Sequence, residues 1–443
     1  MTADGGSGAA APGGRLKHLD GLRGVAAVAV VFLHCVAQFH YPWSFGPVGV
    51  LTGWSRVLAA TPLNVLYAGN LAVCVFFVHS GIVLALPHLR SDRVSLRSVL
   101  DMAARRPIRL VVPIAGALLV SLTLTKLGLF EVNVTVRSAL RTMSPQTEEM
   151  LNRGAPWGRW LWDITGFGVM FGSDSRFLPV LWTMPVEFAG SYVVLALVGV
   201  FPRRGVRIAA GAAALVAALW LDQLYMTGFI AGVLLAKAVV WHERRVARDT
   251  RLVEGTVPVA LRRWLVFVAL AAGLWFGTLP EFRADAWAPL WRGDVSLRTR
   301  LIGAHLVGAT LIVIAVLGSA VAKRLLSHRS IRELGRISFS LYLLHEMVLF
   351  ALGNRVFLRL RATSVPYAVA STATALVVLV VSLVAAWWFT RWIDEPAIRL
   401  AKRVSAAFGL RPRPSASLDA SASRPRVEPT PHRHVSGSTP TGS

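Results

Sequence analysis

Six ionisable side chains stand inside otherwise apolar runs of this chain: His34, His79, Glu187, His305, His345 and Glu346. A charge in hydrocarbon is costly, so residues of this kind are either paired or functional. Arg23 and His34 are eleven residues apart, close to three whole helical turns. That spacing puts both on one face with roughly 16 Å of rise between them. Asp20 lies within about 40° of the same face. A guanidinium near a membrane interface can bind phosphate, and a deeply set imidazole can take and return a proton. The alternative is a topology-setting arginine and a histidine bonded to a neighbouring helix.

Glu187 follows Leu181-Trp182-Thr183-Met184-Pro185-Val186, and a proline within a span predicts a kink that opens space beside the carboxylate. Its alternative is a carboxylate paired with an arginine. Ser80 and Gly81, after His79, allow close approach of a helix or of a substrate, and helix packing is the preferred reading. Ser338, Tyr342 and His345 recur at spacings of four and three, so they share a face that either lines a cavity or joins helices. His305 stands alone on an apolar run and reads as a satisfied, packed histidine. Asp394 and Glu395, before Pro396, read as partners of nearby arginines. There is no HExxH or CxxC pattern and no Gly-x-Ser-x-Gly elbow, so no metal site is expected. The two cysteines, Cys35 and Cys74, lie in apolar runs and give no disulfide framework.

The elements that must carry these residues are membrane spans. Hydrophobic residues make up 54% of the 443 and charged ones 16%, and the apolar residues come in runs of about 20, which excludes a soluble fold. The formal charge of +24 is scattered in short arginine clusters between the runs, a pattern of topology signals rather than a nucleic-acid surface. The expected fold is an all-α polytopic bundle of about ten transmembrane helices. The run from Ile208 to Ala236 is too long for one span and has arginines on both sides, so it is expected to be two short helices with a turn near Asp222. The positive-inside rule then puts both termini in the cytoplasm of a multi-pass cell-membrane protein, with His34 in the outer half of the bilayer. Residues 1–14 are expected to be a disordered tail, 15–403 the membrane domain, and 404–443 a second disordered tail. No internal repeat is visible, which argues against the common transporter architectures.

Several segments, taken in order, resemble the acyltransferase-three family of integral membrane O-acyltransferases. Leu19-Asp20-Gly21-Leu22-Arg23-Gly24 through His34 is similar to the first-helix signature of that family. Phe76-Phe77-Val78-His79-Ser80-Gly81 is similar to its second-helix motif, although leucine is more usual than His79. Arg105-Arg106-Pro107-Ile108-Arg109 resembles its arginine-rich third-helix entry. Trp182-Thr183-Met184-Pro185-Val186-Glu187 resembles its Trp-Ser-Leu-Ser-x-Glu segment, departing at Met184 and Pro185. Ser338 through His345 and Glu395-Pro396 complete the set. The likeness spans about Leu16 to Lys402. It implies transfer of an acyl group, commonly acetyl, from acyl-CoA to a hydroxyl of a carbohydrate, lipid-linked sugar, envelope glycan or secondary metabolite, with no bound cofactor. It also implies that Arg23 and His34 are essential and that Glu187 takes part.

On that reading His34 is the general base, and Glu187 is the carboxylate that would orient it. Arg23, Arg105, Arg106 and Arg109 would hold the CoA phosphates, with Asp20, Ser80, Tyr342 and His345 as further substrate-binding residues. Direct attack and a ping-pong route with the acyl group on His34 or Ser80 both fit the sequence, and burst kinetics would separate them. The competing class is a transporter or flippase that uses the buried histidines and glutamates as a proton relay. A lipid-embedded sensor would need an effector domain, and the tails show none. Trp157, Trp160 and Trp162 could stack on a sugar or sit at the membrane interface.

Overall fold

A computed structural model describes residues 16–40, 53, 57–58, 61–91, 94–130, 157–171, 178–199, 210–211, 223–248, 258–279 and 296–410. Among the described residues there is no strand, and nine helices are long and apolar enough to cross a membrane. The protein is an all-α, multi-pass membrane protein. The turn expected near Asp222 and nearly all of the run before it lie outside the described residues, as do the expected N-terminal tail and residues 411–443.

In chain order the helices are α1 (Lys17–Phe39), α2 (Gly69–Arg90), α3 (Leu96–Lys126), the short α4 (Trp157–Ile164) and α5 (Phe167–Phe171), α6 (Thr183–Gly199), α7 (Leu224–Arg248), α8 (Val259–Gly277), α9 (Leu297–Gly318) and the short α10 (Ala320–Leu326). They continue with α11 (Arg329–Val348), α12 (Asn354–Ala362), α13 (Tyr367–Phe389) and α14 (Glu395–Ala407). The last helix therefore runs past Val404, where the tail was expected to begin. Short 3-10 turns, Pro62–Tyr67 and Pro179–Trp182, lead into α2 and α6.

Pro185 does not kink a span. It falls in the first turn of α6, where its missing N–H would have had no partner in any case. The departures from α-helix come elsewhere. A π turn, Leu349–Gly353, links α11 to α12, and a second, Thr390–Asp394, links α13 to α14. Such turns re-aim the side chains that follow and recur at functional sites.

At the centre α1 packs on α11 and α2, while α2 is further surrounded by α6, α7 and α9. Two glycine crossings set these distances. A Cβ on Gly24 would stand 2.5 Å from the Gly335 amide nitrogen, and one on Gly335 would collide with the Asp20 carbonyl. Likewise Gly81 of α2 meets Phe229 and Gly232 of α7, so the small residue after Ser80 serves packing. The outer helices turn apolar faces to lipid. On α8 Trp264, Phe267 and Trp275 are exposed, and only Gly273 and Gly277 are buried.

Candidate active site

The polar residues expected to do chemistry come together along the line where α1 meets α11 and α2 meets α6. Their helices form because the runs around them are apolar, and α2 and α3 stay helical through Pro87, Pro107 and Pro113. Their faces are set by the glycine crossings, which let α1 and α11 approach until side chains can bond across.

Toward the far end of α1, His34 is partly accessible, with 26% of its side chain exposed, and its Nε2 lies 3.1 Å from an oxygen of the buried Glu346 carboxylate. The other ring nitrogen, Nδ1, is 2.9 Å from the Val30 carbonyl and 3.0 Å from Nε2 of His345. A carbonyl can only accept, so Nδ1 of His34 carries the hydrogen and Nε2 is the nitrogen able to gain or lose one. The second Glu346 oxygen accepts from the Val180 N–H at 3.3 Å. That ties the carboxylate to the 3-10 turn that enters α6.

Glu187 is not the carboxylate beside His34. It accepts from the Ser80 hydroxyl at 2.9 Å and faces Arg106 at 3.7 Å, both acid and arginine being largely buried. The family resemblance points to Glu187 as the orienting acid, and spacing along the chain does not choose between it and Glu346. Glu346, directly after His345, is already marked by the sequence as an acid in an apolar run, and the structure gives it the place beside His34.

The arginine-rich end of the bundle holds the second half of the site. Arg23 donates through Nε to Ser338 Oγ at 2.7 Å and through a terminal nitrogen to the Gly335 carbonyl at 2.7 Å. The π turn brings Asp394 in beside it, where the buried acid feels Arg109 and Arg23. Arg106 in turn feels Glu187, Arg109 and Arg23. Arg23, Arg106 and Arg109 thus lie in the field of Glu187, and Arg23 and Arg109 in that of Asp394. The Nε of Arg106 and one Asp394 oxygen are buried without a hydrogen-bond partner. Such an arginine-rich cluster suits an anion. Arg105 is turned to Asp101, which also receives the Ser405 hydroxyl, so it braces α3 against α14. Asp20 lies at the same end of the bundle, its backbone against Gly335 and its charge near His18.

Tyr342 and His345 are both buried. The Tyr342 hydroxyl donates to the Val180 carbonyl at 2.6 Å and meets the Thr183 hydroxyl at 2.8 Å. His305 is satisfied by Asn70 at 2.6 Å and the Leu279 carbonyl at 3.0 Å, as a packed histidine should be. Glu395 meets Arg336 at 2.8 Å. Trp160 is buried and Trp162 exposed. Among the described residues no cluster of histidines, cysteines and acids could hold a metal ion.

Residues 16–391 match the family described as acyltransferase domain. The chain is 24% identical to Acyltransferase R4 of Phoma sp. (strain ATCC 20986 / MF5453), over 89% of this chain and 96% of that one. It is 24% identical to Acyltransferase clz18 of Cochliobolus lunatus over 77% of this chain and 84% of that one. With the O-acetyltransferase PaAT-1 of Phomopsis amygdali it shares 26% identity over 87% of this chain and 83% of that one. No solved structure matches the chain.

Proposed function

This chain belongs to the acyltransferase family and is an acyltransferase, and from that premise we propose that it moves an acyl group, acetyl as the first candidate, from acyl-CoA to a hydroxyl of a carbohydrate, envelope glycan or secondary metabolite. One relative bears the name O-acetyltransferase, which supports both acetyl and an oxygen acceptor. The observation that carries the reading is the environment of His34: a partly open imidazole deep in an apolar helix, with a buried carboxylate 3.1 Å from its proton-accepting nitrogen.

The acceptor hydroxyl enters at Nε2, displacing Glu346 from the ring's one in-plane lone pair, and gives its proton to Nε2 as its oxygen attacks the thioester carbonyl carbon. Glu346 stabilises the imidazolium that forms. The carbon–sulfur bond then breaks and the proton passes from Nε2 to the departing CoA sulfur, so one proton enters and one leaves. The arginine-rich end faces the cytoplasm by the positive-inside rule, where acyl-CoA is made. There Arg23, Arg106 and Arg109 hold the CoA phosphates, with Glu187 keeping Arg106 in place. The pantetheine arm spans the rise of roughly 16 Å from Arg23 to His34.

The test is purified protein in lipid nanodiscs given acetyl-CoA and a panel of acceptors: a free sugar, a lipid-linked sugar and a macrolide. Acceptor-dependent release of free thiol with an acetylated product is expected, and His34→Ala is expected to abolish it. Gradient-driven uptake of a panel member without thiol release would overturn the reading.

A further inference from the structure

Ser338, Tyr342 and His345 form a polar stripe along α11, and their polar atoms are taken up by carbonyls of α11 itself and by neighbouring elements. Ser338 Oγ donates to the Gly335 carbonyl at 2.8 Å and accepts from Arg23 at 2.7 Å. Nδ1 of His345 lies 3.1 Å from the Leu341 carbonyl. That nitrogen must therefore donate, and Nε2 of a neutral His345 is left to accept from Nδ1–H of His34. Ser338 and His345 are 2% and 1% exposed, so neither can touch a substrate that reaches Arg23 and His34.

We infer that Ser338 and His345 are positioning residues, a two-point clamp by which α11 holds the anion-binding and proton-transfer residues of α1. The physical need differs at the two ends. Glu187 and Asp394 both lie in the field of Arg23, and a guanidinium drawn onto either acid is lost to a phosphate. Bonds to Ser338 and Gly335 fix its position and the direction it faces, so that it need not be reoriented to meet a phosphate. At the other end the imidazole could turn about its last torsion and exchange its nitrogens. The bond to His345 adds to that of Val30 in opposing the turn, and so keeps Nε2 toward Glu346.

This clamp rests on the acyl-transfer reading, and it makes the two ends separable. Ser338→Ala should weaken acetyl-CoA binding about tenfold, with thiol release at saturation unchanged. His345→Phe should leave acetyl-CoA binding alone and slow release about 100-fold. His345→Gln, whose amide can accept from His34 and donate to Leu341, should restore most of that rate. Variants that match wild type, that lower binding and rate together, or a glutamine form no better than the phenylalanine one, would overturn the clamp. Should the truncated forms not fold, Ser338→Thr and His345→Gln are expected near wild type, and a tenfold loss in either overturns it. A nitrogen-15 coupling across the His34–His345 hydrogen bond reads the contact without any activity. Its absence overturns the clamp even in an active enzyme. Its presence in a protein that never consumes acetyl-CoA upholds the contact and sinks only the acyl-transfer reading.

Discussion

His34 on the first helix and Glu346 on α11 meet at 3.1 Å, a pairing made by residues more than three hundred positions apart and held because Gly24 and Gly335 let their helices touch. The carboxylate is fixed from its other side by the Val180 N–H. Neither helix alone contains the pair, so the site exists only once the bundle has assembled.

If the proton moves through this pair, Glu346→Gln removes the charge that stabilises the imidazolium and keeps the shape. Transfer should fall by roughly 10²–10³, with acetyl-CoA affinity unchanged. Glu187→Gln, acting at the arginine end, should cost far less in rate and alter acetyl-CoA binding instead. Single-turnover rates and binding isotherms on the two variants distinguish them. Equal losses of rate would exclude the division of labour.

The α1–α11 crossing gives a packing prediction. Gly24→Val would press a branched side chain against the Gly335 backbone, which stands 2.5 Å from the Cβ position and has no rotamer with which to yield. Overpacking of this kind costs about 1–3 kcal/mol or more. It should also part His34 from His345 and Glu346, so activity should fall more steeply than thermal stability. Gly158→Ala on α4, with nothing within 4 Å of the new methyl, is the control and should change neither.

His40, just beyond the end of α1, gives a dependence on pH. Its Nε2 lies 2.9 Å from Ser371 Oγ, which itself donates to the Ala368 carbonyl, so the ring is a donor there. Burial pushes its pKa down to about 4, and the folded form holds it neutral. Near neutral pH neither state is protonated at this site and nothing is lost. As pH falls through the ordinary value of about 6.5, the unfolded chain binds a proton that the folded one refuses, and stability declines until about pH 4. Melting temperatures in detergent should therefore drop between pH 7 and pH 4.5, and His40→Gln should flatten that slope. A slope unchanged by the substitution would show that other groups govern it.

Much of this was legible in the sequence, and the reasons are physical. Spans declare themselves by length and hydropathy, and the helical repeat was enough to place Arg23 and His34 on one face. His305 was readable as a packed residue because no other ionisable group shared its run. Partners across helices were not legible. The acid beside His34 depends on rotations of α1, α6 and α11 that no periodicity fixes, and Glu346 and Glu187 were equally good on spacing. The roles of Tyr342 and Ser338 turn on whether a polar stripe faces a cavity or a helix, and only the glycine crossings decide that. Pro185 was misjudged because the start of α6 could not be read. A proline at a helix start costs nothing, whereas one at its middle bends it.

The buried pair of Arg106 and Glu187 separates stability from binding. Their side chains are 9% and 14% exposed and stand 3.7 Å apart, so each is there at the expense of its hydration. Arg106→Met leaves Glu187 in the interior without its cation, which should cost about 3–5 kcal/mol. Adding Glu187→Leu removes the stranded charge, and because well-packed apolar pairs often replace buried ion pairs without loss, the double variant should melt close to wild type. Acetyl-CoA binding should not follow. A phosphate gains from the guanidinium and not from the packing, so the affinity lost with Arg106 should stay lost, by about tenfold or more. A double variant that recovers both stability and acetyl-CoA affinity would mean that Arg106 serves only Glu187, and the anion would then have to rest on Arg23 and Arg109.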